Sequence, residues 1–152
     1  MLTKGTVKGI IANLVIVEVD GPVAQNEIAY IDLDGTRLMS EVIKVVGKNV
    51  YVQVFESTRG LRVNSQVEFQ GHMLEVVLGP GLLERNLDGL ENDLDKMEGV
   101  FLKRGEYTFP LDEEKEWSFK PLAAPGDRVT GGSWLGEVDE NFQPHKIMVP
   151  FV

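Results

Sequence analysis

Turn-forming residues divide the first 70 residues into short apolar, β-branched runs, and this spacing constrains the fold more than any other feature. Thr6–Ile11 and Leu14–Val19 are separated only by Ala12-Asn13, which predicts a hairpin. Asp34-Gly35 follows the run Glu27–Leu33 and is a strong signal for a two-residue hairpin turn. Short strands at this spacing predict a small closed β-barrel, because closure leaves no unpaired strand edge.

The predicted strands continue along the chain with the side-chain alternation of a half-buried sheet. Val50, Val52 and Val54 alternate with Tyr51 and Gln53, so one face is aliphatic and the other is mixed. Further strands are predicted at Arg37–Val46 and Gln66–Phe69, and a last one at Glu75–Leu78. The barrel is predicted to occupy residues 1–74, so the last predicted strand falls in the segment that follows it.

The pattern changes at Gly79-Pro80-Gly81, which ends the last predicted strand. Apolar residues then recur at steps of four, three, four and three, at Leu83, Leu87, Leu90, Leu94 and Met97. This spacing is typical of one face of a helix, although Gly89 in its middle favours a break into two short turns. We therefore predict a short helical connector over residues 75–98.

From residue 99 onward, glycine and proline again punctuate short runs, as in Pro125-Gly126-Asp127 and Gly131-Gly132. A second β-rich domain, similar in rhythm to a barrel-sandwich, is predicted over residues 99–152. The predicted fold class is mainly β, with an N-terminal closed barrel, a connector and this second domain.

Charge and composition exclude several classes of function. The formal net charge is -9, and such a surface repels nucleic-acid phosphates and anionic lipid. No apolar run approaches the ~18 residues of a membrane span, which argues against direct membrane insertion. The absence of cysteine excludes disulfides and thiolate metal sites.

The motif search predicts no catalytic, cofactor-binding or metal-binding residue. The stretch nearest to a phosphate-binding loop, Gly126–Gly132, has no Gly-Lys-Ser/Thr run and contains Asp127. His72 and His145 are far apart and lie in no metal-binding motif. The pairs Glu113-Glu114 and Asp139-Glu140 are expected on exposed turns of so acidic a chain.

A carrier role is one further hypothesis for the second domain. Lipoyl and biotinyl domains are small β-sandwiches that carry a modified lysine at an exposed hairpin tip. Lys146, in His145-Lys146-Ile147-Met148, would have to be that lysine. His145 stands where a biotinyl hairpin has methionine, so the likeness favours kinship of fold and not of function.

An ordered set of stretches resembles the catalytic A subunit (alpha chain) of V/A-type rotary ATPases. Gln53-Val54-Phe55-Glu56-Ser57-Thr58-Arg59-Gly60-Leu61 is similar to that family's Gln-Val-Tyr-Glu-Glu-Thr-x-Gly-Leu. Other matching stretches are Asp20–Val23, Ser40–Ile43, Glu75–Leu83, Leu87–Leu90, Lys103–Gly105, Trp117–Pro121, Gly126–Gly132 and His145–Pro150. The chain departs from the family at Asp20, which replaces serine, and at Glu91–Leu94, where the family has Arg-Pro.

The resemblance implies a fragment that ends before the P-loop nucleotide domain. Residues 99–152 resemble the A subunit's inserted peripheral bulge. The whole subunit would bind ATP or ADP with Mg, and would couple ATP synthesis or hydrolysis to H⁺ or Na⁺ transport. It would act in the cytoplasmic, membrane-peripheral ATPase head.

The resemblance also implies the partners, which are B subunits, other A subunits and the peripheral stator stalk. This fragment would serve ring assembly and stator contact, without catalysis of its own. An independent acidic β-rich protein-binding module is the alternative interpretation.

Overall fold

The computed structural model describes residues 2–97, 99 and 102–151, and the chain folds into two compact units. The first, here called the barrel unit, comprises Met1–Glu75 and Met97–Tyr107. The other, here called the second unit, comprises Val76–Lys96 and Thr108–Val152. Glu98 and Val152, which end the predicted connector and the predicted second domain, lie outside the described residues.

Six antiparallel strands form a closed barrel in the barrel unit, which confirms the predicted architecture. They are β1 (Lys4–Ile11), β2 (Leu14–Val19), β3 (Glu27–Leu33), β4 (Thr36–Val46), β5 (Asn49–Val54) and β6 (Gln66–Met73). Around the barrel the order is β1-β2-β5-β4-β3-β6, and the pairing of β1 with β6 closes it.

Two-residue turns set the register of the barrel hairpins. Ala12-Asn13 joins β1 to β2, and Asp34-Gly35 joins β3 to β4. Asp34 has a φ of 52° and Gly35 a φ of 89°, both in the left-handed region that such turns require. Glycine adopts this conformation without a steric penalty, which explains why Asp-Gly is a reliable turn signal.

The barrel core consists almost entirely of aliphatic side chains from alternate strand positions. Val15 and Val17 of β2 and Val50, Val52 and Val54 of β5 are buried. The other fully or nearly fully buried apolar side chains of the cluster are Val7, Val19, Ala29, Ile31, Leu38, Val42, Leu61, Val67 and Phe69. Small β-branched side chains suit so narrow a barrel, because its interior is wide enough only for packed side chains.

A three-stranded antiparallel sheet is the regular part of the second unit. Its strands are β7 (Phe119–Pro121), β8 (Trp134–Glu140) and β9 (Gln143–Met148), in the order β7-β8-β9. Gly136 of β8 lies against β7, and a Cβ on this residue would clash with the Phe119 ring. Glycine at this position therefore lets β7 approach β8 closely.

The predicted helical connector is wrong, because the described residues of 75–98 form turns and no helix. Glu84 and Glu91 both have a φ of 66°, which interrupts any helical run. Asp88 Oδ1 also accepts hydrogen bonds from the backbone amides of Leu90 and Asn92, at 2.8 Å each. Such side-chain bonds compete with helical ones, so the leucine spacing did not produce a helix.

The strand predicted at Glu75–Leu78 is also absent, since these residues pair with no strand. Among residues 2–97, 99 and 102–151, no helix has the length and apolar character needed to cross a membrane.

Replacing Phe69 by alanine should test the barrel core. Phe69 has no exposed surface, so the variant should lose about 3–5 kcal/mol of unfolding free energy through lost burial and a residual cavity. Urea unfolding followed by circular dichroism measures the change. As the control, Ile11→Ala removes a side chain that is 62% exposed and should stay within about 0.5 kcal/mol of the parent chain. Equal effects in the two variants would contradict the assigned core.

Candidate functional site

A buried carboxylate and a phenol join the two segments of the barrel unit. Glu56 is 4% exposed, and its Oε1 accepts a hydrogen bond from the hydroxyl of Tyr107. The Met39 amide donates to the same hydroxyl at 3.1 Å. Burial and the neighbouring Glu56 carboxylate raise the pKa of Tyr107, so this hydroxyl stays protonated as a donor. The contact fastens Tyr107 to the barrel wall.

A second buried carboxylate, Glu140, organises the second unit. It ends β8 and is 2% exposed. Its Oε1 accepts hydrogen bonds from the amides of Gly81 at 2.6 Å and Leu83 at 3.1 Å, and its Oε2 lies 2.9 Å from His145 Nδ1. One side chain thus links the Gly79-Pro80-Gly81 loop to the β8–β9 hairpin.

The environment of Glu140 keeps it ionised. Burial on its own would raise the pKa of this carboxyl, but the Leu83 and Gly81 amides and His145 outweigh it, so the pKa lies below its usual range. Two amides bond to one carboxylate oxygen and the imidazole contacts the other. Glu140 is therefore a structural tether between these segments.

A polar network holds the loop in which the sequence predicted a helix. Asn92 and Asp93 are each 1% exposed. Asn92 Nδ2 donates to Asp88 Oδ2 at 3.0 Å, and Arg85 Nη1 donates to Asp93 Oδ2 at 2.6 Å. Thr108 connects to both, since its Oγ1 accepts from the Asp93 amide and its own amide donates to Asn92 Oδ1. The chain departs from the family motif at Glu91–Leu94, and two of these four residues, Asn92 and Asp93, are thus buried structural groups.

The stretch nearest to a phosphate-binding loop, Gly126–Gly132, does not fit a nucleotide. The amide of Asp127 donates to the Ala124 carbonyl, and that of Gly132 to the Val149 carbonyl. The amide of Thr130 donates to the Ser133 hydroxyl at 3.1 Å. Three of the seven backbone amides of this stretch are therefore already bonded within the protein, and the stretch has no lysine that could pair with a phosphate.

The two histidines lie in different units and have different environments. His145 is bonded to Glu140, whereas His72 Nδ1 lies 2.8 Å from the Met73 carbonyl. Glu113 and Glu114 are exposed, and the pair Asp139-Glu140 is split, with Glu140 buried. Over the part of the chain that the structure describes, no group of three or more His, Asp or Glu side chains could hold a metal ion.

Lys146, the residue of the carrier hypothesis, lies within β9 and not at a hairpin tip. It pairs with Glu137 of β8 in the sheet register, and its Nζ lies 5.3 Å from the centre of the Trp134 ring. Trp134, Met148 and Leu78 line the adjacent groove of about 700 Å³. The turn between β8 and β9 is instead Asn141-Phe142. Lys146 therefore lacks the exposed tip position that an attached swinging arm requires.

Two family models match this chain, one in each unit. The ATP synthase alpha/beta family beta-barrel domain matches residues 7–71. The ATP synthase alpha/beta subunit barrel-sandwich domain matches residues 108–152.

Curated relatives match along almost the whole chain. The V-type ATP synthase alpha chain of Borrelia garinii subsp. bavariensis is 47% identical over 154 aligned positions, which cover 99% of this chain. The V-type ATP synthase alpha chains of Borreliella afzelii and Borrelia recurrentis are 46% and 47% identical over the same coverage. The chain spans 27% of the length of each of these relatives.

The barrel, the barrel-sandwich match and these relatives agree, and the chain belongs to the ATP synthase alpha/beta family of rotary ATPase subunits. Within that family it corresponds to the N-terminal region of the V-type ATP synthase alpha chain. The family resemblance read from the sequence is thereby confirmed.

Replacing Glu140 by alanine should destabilise the second unit. The variant leaves the Gly81 and Leu83 amides without their acceptor, so we expect a loss of about 3 kcal/mol in unfolding free energy. Glu140→Gln retains a neutral acceptor and should lose about 1 kcal/mol. Chemical unfolding followed by tryptophan fluorescence measures both, because Trp117 and Trp134 lie in the second unit. The exposed control Glu113→Ala should be neutral, and a similar loss there would contradict the tether.

Acid should remove the contribution of Glu140. Because its folded-state pKa is depressed, its contribution is complete above the unfolded value of about 4.3 and is lost as the pH falls through the folded value. The stability difference between the parent chain and Glu140→Gln should therefore shrink as the pH falls below about 5. Urea unfolding of both proteins across this range measures it. A difference that stays constant with pH would show that the carboxylate charge contributes nothing.

Proposed function

We propose that this chain acts as the N-terminal, non-catalytic part of the catalytic A subunit of a V/A-type ATP synthase/ATPase. The observation that carries the proposal is the 46–47% identity to V-type ATP synthase alpha chains over 99% of the chain. In the proposal the whole subunit binds ATP or ADP with Mg and couples ATP synthesis or hydrolysis to H⁺ or Na⁺ transport. The subunit is cytoplasmic and peripheral to the membrane.

Catalysis in this proposal is carried by other parts of the subunit, and the present chain supplies no reacting group. The bonded amides of Asp127, Thr130 and Gly132 support this assignment, as do the structural bonds that Glu140 makes to the Gly81 and Leu83 amides. The work left to the chain is assembly. Its partners would be B subunits and other A subunits of the head, and the subunits of the peripheral stator stalk.

An exposed apolar surface on β4 supports a ring-contact role for the barrel. Ile43 is the extra residue of a β-bulge between Val42 and Lys44, and it is 39% exposed. Val45 and Val46 follow it and are also exposed. These three residues, Ile43, Val45 and Val46, are here called the β4 patch. Several exposed apolar side chains on one short strand segment make that segment a candidate for a protein contact. We assign the contact with neighbouring head subunits to the β4 patch.

In this proposal the second unit makes the contact with the peripheral stator stalk. Thirteen of the chain's 24 carboxylates but only six of its 15 basic side chains lie there, so it carries -7 of the -9 charge. Such a surface favours basic partners. We assign the stator-stalk contact to this unit, which includes most of the predicted bulge at residues 99–152.

A charge placed in the β4 patch should weaken assembly of the head. We expect the double variant Ile43→Asp, Val46→Asp in the full-length A subunit to reduce formation of the A–B complex at least tenfold, because the new carboxylates must be desolvated at the contact. Native mass spectrometry of the subunit mixed with its B subunit measures the complex, and circular dichroism checks that the barrel is still folded.

A matched control distinguishes a contact from a general effect of charge. Val63 is 53% exposed in the loop before β6, and Val63→Asp should assemble like the parent subunit. Normal assembly of the β4-patch variant, or equal loss in both variants, would refute the assignment.

A further inference from the structure

The tip of the β8–β9 hairpin displays an aromatic side chain in an uncommon conformation. Phe142 is 94% exposed and has a φ of 64°, and Asn141 before it has a φ of 52°. A two-residue hairpin turn needs this geometry at both positions and normally has glycine at the second. A bulky residue with positive φ is an outlier that folding alone would not favour.

Hydrogen bonds hold this tip in one geometry. The Phe142 amide donates to Asp139 Oδ1 at 3.0 Å, and Asn141 Nδ2 donates to Glu84 Oε2 at 2.9 Å. The preceding residue, Glu140, is the buried tether of the second unit. The backbone that carries the Phe142 ring is therefore braced, and a pre-organised backbone reduces the conformational entropy lost on binding.

The charges beside the tip specify the chemistry of a partner. Asp139 and Glu84, which brace the turn, are exposed carboxylates, and the second unit as a whole carries -7. Anionic lipid and nucleic acid would be repelled by this surface. A protein surface with an apolar pocket rimmed by lysine or arginine complements both the ring and its surroundings.

We infer that Phe142 is the anchor residue through which the second unit binds a basic protein surface, with the ring inserted into an apolar pocket of that partner. Anchors of this kind concentrate the binding energy of an interface in one buried aromatic side chain. The identification of the partner with a stator-stalk subunit rests on the proposed function, whereas the anchoring role of Phe142 does not.

Photo-cross-linking identifies the partner. In the full-length subunit, Phe142 is replaced by p-benzoylphenylalanine, which keeps an aromatic ring at the tip, and cells are irradiated. We expect one cross-linked protein, joined at a peptide that contains lysine or arginine. Leu122, which is 58% exposed in the same unit, serves as the control position and should give no such product. Cross-links only to lipid, to a second copy or to the subunit's own chain would overturn the inference.

Binding variants then separate docking from folding. With the purified cross-linked partner as the probe, Phe142→Gly should weaken the Kd at least tenfold while making the second unit no less stable, because glycine accepts the left-handed turn. Phe142→Trp should bind within threefold of the parent, and affinity should fall as salt rises. An unchanged Kd for Phe142→Gly would overturn the inference.

The two proposals can fail separately. If Phe142 captures no protein but the β4 patch still controls head assembly, the inference fails and the assembly role stands. If Phe142 captures a basic protein outside the rotary complex, the anchor stands and the stator assignment fails.

Discussion

Antiparallel pairing of β1 with β6 is the contact on which the barrel unit depends. It joins Lys4–Thr6 to Gln66–Glu68 across most of the unit's sequence. With this pairing made, each strand has two neighbours and no edge is left to recruit a foreign strand. The same closure forces alternate residues inward, so the valines of β2 and β5 meet in one core. Contacts with other proteins must then use outward side chains, such as those of the β4 patch.

Buried polar side chains hold the second unit together, whereas buried valines hold the barrel together. In the described part of the second unit, Pro110 and Val138 are buried apolar side chains, whereas Asn92, Asp93 and Glu140 are buried polar ones. Each of these polar groups is bonded to amides or to an oppositely charged side chain, which offsets the cost of burying it. Long loops are thereby held to a three-stranded sheet too small to order them through apolar packing.

The β4 patch and the β8–β9 hairpin tip differ in chemistry and therefore suit different partners. The β4 patch is apolar and lies on a closed barrel, which favours a lasting contact between head subunits. The hairpin tip is a single aromatic residue among carboxylates, which favours a steered contact with a basic surface. Both features are compatible with the proposed role, in which the chain holds other parts of a rotary enzyme in place.

Local sequence determined the strands and turns of the barrel, because alternation and pairs such as Asp34-Gly35 act over a few residues. The leucine spacing at 83–97 predicted a helix that does not form. A local pattern could not reveal that Asp88 accepts hydrogen bonds from the amides of Leu90 and Asn92. Only the tertiary structure decided the exposure of Phe142 and the role of Glu140. The contact of Glu140 with Gly81 spans 59 residues. Burial and long-range hydrogen bonds depend on which segments meet in space, and no periodicity in the sequence records that.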